Sequence, residues 1–229
     1  MNKLTWAAAA VAVSVISTPL ISTPAMAGNP EGKIQVKVLA TGVLPDGKID
    51  KVRTDLIGLP AGSQSEANNN VVPTLAVEYF ATPNVSVETI CCFTQHHVNG
   101  AGPLSGARLV NHVLILPATV TLKYHLNAGP IKPYVGVGPA LFAVFGEKPG
   151  ADARALGASK VKMSNQLGFA LQAGVDIPVN GSGMGLSLDA KRYFVRPEAK
   201  FYTATGVKAL ETKHKLDPWV VSGGVYFRF

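Results

Sequence analysis

Apolar and polar residues alternate with a period of two along most of this chain. The pattern is clearest over residues 165–179, where Leu167, Phe169, Leu171, Ala173, Val175 and Ile177 form one row. Gln166, Gly168, Ala170, Gln172, Gly174 and Asp176 form the other. Such a period marks a strand with two chemically different faces. Seven further segments share it: 33–43, 71–81, 84–95, 113–126, 131–146, 184–195 and 216–229. In the last, Trp219, Val221, Gly223, Val225, Phe227 and Phe229 face one way, and Val220, Ser222, Gly224, Tyr226 and Arg228 the other.

The connections alternate in length. Residues 82–84, 127–130 and 180–183 are short and built from Pro, Gly and Asn, which accept turn geometry. Residues 44–70, 96–112, 147–164 and 196–213 are long and are expected to be loops. Short turns at one end and long loops at the other, with an even strand number, predict an all-β fold: an eight-stranded antiparallel up-and-down transmembrane β-barrel. The apolar rows then meet lipid and the mixed rows meet the lumen. A soluble lipocalin-type barrel of equal strand number would reverse the faces. The unbroken apolar row of 165–179, with charge confined to the other face, favours lipid outside. Aromatic residues group near both ends, as in interfacial girdles: Tyr79, Phe80, Tyr124, Tyr134, Tyr226, Phe227 and Phe229 on the turn side, and Phe93, Phe145, Tyr193, Phe194 and Trp219 on the loop side. Trp219 and Phe229 are the expected membrane anchors of the final strand.

The amino terminus supports a membrane beyond the cytoplasm. A lysine at position 3, an apolar run over 4–16 and Ala25-Met26-Ala27 make up a secretory signal peptide, residues 1–27, expected to be removed. Residues 28–229 would form a single barrel domain in the bacterial outer membrane. Hydrophobic residues make up 47% of the chain, yet no later run is long enough for a spanning helix. The net charge of +7 falls largely in the long connections, at Lys48, Lys51, Arg53, Lys160, Lys162, Lys200 and Lys213 among others. Interspersed acids exclude a nucleic-acid patch. Outer-membrane lipids and lipopolysaccharide are the expected surroundings, with basic loops near anionic head groups or simply solvated. Cys91 and Cys92 are adjacent, so their side chains should point to opposite faces, which opposes a disulfide between them.

Eight strands enclose room for little beyond their own side chains or one small ligand. Near the loop end the inward row holds Ile115, Pro117, Phe142 and Val144, which make an apolar mouth. Toward the turns, Glu78, Glu88, Lys123, Asp176, Asp189, Lys191 and Arg228 fall on inward rows and should pair into a polar plug, because unpaired buried charge is costly. An apolar solute entering the mouth would meet that plug, so exit sideways into the bilayer is expected. A gap at Pro117, which lacks a ladder donor, could provide it; a bulge without a transport role is the alternative. Catalysis lacks support. His96, His97 and His112 are expected to be exposed loop histidines, no G-x-S-x-G occurs, and no metal or cofactor pattern is present.

The segments LDPWVVSGGVYFRF (216–229), LPATVTLKYHL (116–126), IKPYVGVGPALFAVF (131–145) and LAVEYFATPNVSVE (75–88) resemble the outer membrane protein W family, as does VLPD at 43–46. The resemblance spans nearly all of 28–229, and the Asp-Pro-Trp and Lys-Pro-Tyr-Val-Gly steps are its most specific parts. The connections at 148–161 and 196–213 do not match closely. It implies a narrow channel for uptake of small hydrophobic molecules, and recognition of a terminal aromatic such as Phe229 by the barrel assembly machinery. The competing reading is a non-transporting outer-membrane barrel that serves as a surface receptor or structural protein.

Overall fold

The computed structural model describes residues 28–179 and 181–229; the signal-peptide segment, residues 1–27, lies outside them. Eight strands form the barrel wall: β1 (Ile34–Leu44), β4 (Asn70–Phe80), β5 (Val85–Cys91), β7 (Arg108–His125), β8 (Lys132–Pro149), β10 (Gln166–Pro178), β11 (Met184–Phe194) and β14 (Trp219–Arg228). Each pairs antiparallel with its neighbour, and β1 pairs with β14 to close the cylinder, in register from Gln35↔Arg228 to Leu44↔Trp219. Closure leaves no free edge in the wall, so every backbone group can be satisfied without water.

The alternation explains which way each residue faces. Leu167, Phe169 and Leu171 are exposed on the outside while Ala170 and Gln172 are buried. Tyr79, Val120, Leu122, Val135, Val137 and Leu186 continue the outer apolar surface, with Trp219 at 47% and Phe229 at 56% exposure at its two ends. Four of the aromatics assigned to the girdles face inward instead: Phe80, Tyr134, Tyr193 and Tyr226 are buried in the lumen. Each follows or precedes an outward residue, and adjacent positions of a strand cannot share a face.

The four long connections are not loops. They carry strands β2 (Gly47–Asp55), β3 (Gln64–Ala67), β6 (Thr94–Ala101), β9 (Lys160–Met163), β12 (Glu198–Tyr202) and β13 (Lys208–Leu216), with a short α-helix, α1 (Ala151–Ala155), and a single 3-10 turn, Gly102–Leu104. Strands β2, β13, β12 and β9 form a separate four-stranded sheet beyond the barrel, while β3 and β6 extend the wall upward along β7. These segments alternate too, but with lysine opposite small or apolar residues and with bulges between Glu211 and Thr212 and between Lys213 and His214. The bulges shift parity and hide the period.

The wall strand expected over 84–95 is interrupted. The β5–β7 ladder ends at Ile90↔Thr119, and the β6–β7 ladder resumes at Thr94↔Ile115. Between these pairs stand Cys91, Cys92 and Phe93 on one side and Leu116, Pro117 and Ala118 on the other. Cys91 is exposed, Cys92 is buried, and both are free.

Candidate functional site

The lumen changes character along its axis. At the turn end, three lysines meet four carboxylates. Lys123 Nζ lies 2.9 Å from Glu78 Oε2 and 2.9 Å from Glu88 Oε2. Lys37 Nζ reaches Glu78 at 3.1 Å, Glu88 at 3.3 Å and Asp176 at 3.2 Å. Lys191 Nζ bridges Glu88 at 3.1 Å and Asp189 at 2.7 Å. Neutral groups occupy the remaining lone pairs and protons. Gln35 donates to Asp176, Ser187 donates to Asp176, Tyr134 donates to Asp189, and Gln172 donates to both Glu88 and Asp189. Ser86 donates to Glu78, whose Oε1 is also 2.8 Å from His125 Nε2. The Tyr134 ring lies beneath Lys123, with Nζ 3.7 Å from its centroid. Glycine makes that fit: a Cβ at Gly174 would collide with the Tyr134 ring, and one at Gly136 would come 3.0 Å from Lys123 Cγ. Each ion here is buried, so the cluster holds only because every charge has several partners.

Six of the seven residues assigned to the plug meet in this cluster. Arg228 does not. Its Nε donates to the Gly32 carbonyl at 2.7 Å and its guanidinium stacks on Phe80 at 3.7 Å, below the carboxylates. Arg228 tethers the amino-terminal segment to the final strand. The charged residue missed was Lys37, which touches three of the four carboxylates, together with the neutral donors such as Gln35, Gln172 and Tyr134; the inward row of β1, Gln35 and Lys37, carried the signal.

Above the cluster the lumen becomes apolar. Leu39, Ala76 and Ile90 form one layer. Phe142 and Tyr193 meet edge to face, centroids 5.2 Å apart, and Tyr193 Oη lies 3.2 Å from Thr119 Oγ1. Over this floor opens a cavity of about 150 Å³, enclosed by the upper barrel wall, the four-stranded sheet and α1. Ile115, Pro117 and Phe142 line it, with Val43, Val113, Val220, Ala199, Phe201, Leu210 and Leu216 among others. Val144 packs against the same apolar cluster without lining the cavity. A cavity of this size lined by aliphatic and aromatic groups suits a small apolar molecule about as large as benzene.

Two histidines interrupt the apolar lining. His96, expected to be an exposed loop residue, is 3% exposed, with Nε2 2.9 Å from Thr94 Oγ1 and Nδ1 2.8 Å from the Asn68 carbonyl. His97 is exposed, and His112 is half-buried. His214, on β13, has Nε2 2.8 Å from Thr212 Oγ1 and Nδ1 3.3 Å from Ser65 Oγ, with no carboxylate partner among the described residues. Burial pushes its pKa down to about 4, so the imidazole is neutral at pH 7 and adds no charge to the chamber. As pH falls from about 6.5 toward 4, the unfolded imidazole takes up its proton before the folded one does. The associated stability is therefore complete above pH 6.5 and about 2 kcal/mol smaller at pH 5. Hydrogen exchange of β12 and β13 at pH 8 and pH 5 should show this loosening, and His214→Leu should remove most of it. An equal acid effect in the variant would rule His214 out as its source.

Comparisons with known proteins agree with this architecture. A family model described as the OmpW family matches residues 30–229. An uncharacterized outer-membrane protein of Sinorhizobium fredii is 32% identical over 98% of this chain and 92% of its own. Outer membrane protein W of Vibrio cholerae is 27% identical over 91% of this chain and 94% of its own. The crystal structure of the outer membrane protein OprG from Pseudomonas aeruginosa superposes with a TM-score of 0.77 at 23% identity, covering 89% of this chain and 99% of that one. The solid-state NMR structure of outer membrane protein AlkL in DMPC bilayers superposes with a TM-score of 0.69 at 20% identity, covering 100% and 97%.

Proposed function

The chain belongs to the OmpW family and is a barrel of the bacterial outer membrane, and on that premise we propose that it takes up small apolar molecules through its external chamber. The observation that carries this reading is an apolar cavity of about 150 Å³ set above a sealed charged base and beside an interrupted stretch of wall. Passage straight down would require separating buried ion pairs, at a cost of about 3–5 kcal/mol for each broken pairing. A sideways step exchanges one apolar environment for another, because lipid tails are as apolar as the chamber lining.

The exit lies between the β5–β6 junction and β7, where Leu116, Pro117 and Ala118 face Cys91, Cys92 and Phe93 without ladder pairs. Pro117 lines the cavity and has no N–H to offer. Phe142, its ladder partner on β8, forms part of the floor and would direct a solute toward the opening. The charged cluster acts as scaffold, and the non-catalytic reading rests on the apolar lining.

Pro117→Ala tests the exit. Alanine restores one donor, and a ladder hydrogen bond contributes about 1 kcal/mol, enough to slow opening about fivefold. Transfer of an apolar fluorescent solute into liposomes containing the refolded variant should fall by that factor. Unchanged transfer would sink the lateral exit while leaving the chamber reading intact.

A further inference from the structure

The face of the external sheet turned away from the chamber carries an unusual charge pattern. Antiparallel pairing places Lys48 opposite Lys215 and Lys51 opposite Lys213, and, two strands over, Lys162 opposite Lys200. Like charges directly opposite one another across a ladder destabilise a sheet. Glu198 and Glu211 share this face and are already engaged, while Lys215 reaches Asp217 at 3.7 Å and Lys162 reaches Glu147 at 3.9 Å. Glu198 accepts Arg53 at 3.0 Å and Lys200 at 3.2 Å; Glu211 binds Lys200 at 3.6 Å and Lys208 more closely. Lys48, Lys51 and Lys213 form no ion pair among the described residues.

The sheet cannot relieve this repulsion by splaying. Its other face packs Val161, Ala199, Phe201 and Leu210 into the roof of the chamber, which holds the four strands together. Adjacent strands lie about 4.8 Å apart, so the basic face is roughly 14 Å wide, much broader than one phosphate. A single small anion would leave most of the repulsion in place, and a polyvalent one would cancel it.

We propose that this face, on β2, β13, β12 and β9, binds the phosphorylated core saccharide of a neighbouring lipopolysaccharide molecule. The protein stands in the outer membrane, where that polyanion forms the layer around the external end of every barrel. Bound phosphates would neutralise Lys48, Lys51 and Lys213, which have no acid of their own among the described residues, and fasten the chamber roof to the leaflet surface. The site is independent of the uptake proposal, since it uses the opposite face of the sheet.

The test uses the full chain in detergent micelles, titrated with purified lipopolysaccharide carrying a phosphorylated core, with the same material after enzymatic dephosphorylation, and with inorganic phosphate. A variant combining Lys48→Gln, Lys51→Gln, Lys213→Gln and Lys215→Gln should bind the intact lipopolysaccharide at least about tenfold more weakly. Its thermal midpoint without ligand should rise, because the repulsive pairs are gone. A second variant with Arg at the same four positions keeps the charge and should bind as the parent does. Binding by the parent should weaken with salt. Equal affinity of the glutamine variant, equal affinity for dephosphorylated material, or displacement by inorganic phosphate at matched phosphate concentration would each overturn the proposal.

Discussion

Lys123→Met is expected to destabilise the folded barrel by about 3–5 kcal/mol, the largest effect of any single substitution considered for this chain. Methionine matches the length of the buried stem and removes only the charge. Glu78 and Glu88 would each lose a contact of 2.9 Å and keep Lys37 as a shared cation, now facing two carboxylates and Asp176 as well. The penalty is that of leaving negative charge buried and under-compensated. It is therefore not a measure of what the Lys123 pairs contribute in the intact barrel. Adding Glu88→Gln to Lys123→Met should recover a substantial part of the loss, since the two sites share partners. Urea unfolding in micelles followed by tryptophan fluorescence measures both; a loss under about 1 kcal/mol for the single variant would place the cluster in contact with water.

The second large effect concerns the chamber. Ala199→Trp puts an indole into a cavity of about 150 Å³ from the underside of its roof, at a position only 4% exposed. Equilibrium binding of an alkylbenzene should fall at least tenfold, about 1.4 kcal/mol, because the ring occupies the space the solute needs. Overpacking should cost about 1–3 kcal/mol, confined to the external sheet. Tryptophan on the lipid row, Val221→Trp, should leave binding unchanged. If Ala199→Trp binds the solute as the parent does, the chamber is not the site.

The barrel is legible in the sequence because lipid on one side and charge on the other impose a period of two. Leu167 to Ile177 shows this without interruption. The same parity separates Tyr79 at 50% exposure from Phe80 at 4%, so position along the strand alone misplaces Phe80. The external sheet was harder to see. Its strands face water on one side and a cavity on the other, its lysines mimic loop composition, and bulges at Glu211/Thr212 and Lys213/His214 break the alternation. The chamber is legible only in part: Ile115, Pro117 and Phe142 read as an inward apolar patch on two neighbouring strands, whereas Val43, Ala153, Ala199 and Val220 join them only in the folded chain. The charged cluster falls between these cases. Its members are readable one by one as inward polar residues, but the partnership of Lys37 with Asp176 spans 139 positions and depends on barrel closure.

The pairing of β1 with β14 bears on how the wall is made. Arg228 and Gly32, joined by a hydrogen bond at this seam, are 196 residues apart in the chain. Three wall pairs, β4–β5, β7–β8 and β10–β11, meet through turns of a few residues, so those hairpins can zip locally and early. The seam cannot form until all seven other ladders stand, and until then both outer strands present bare backbone. Cylinder formation is thus a late, all-or-none event with a high loop-closure cost, and the half-built sheet is the species most prone to pair with another copy.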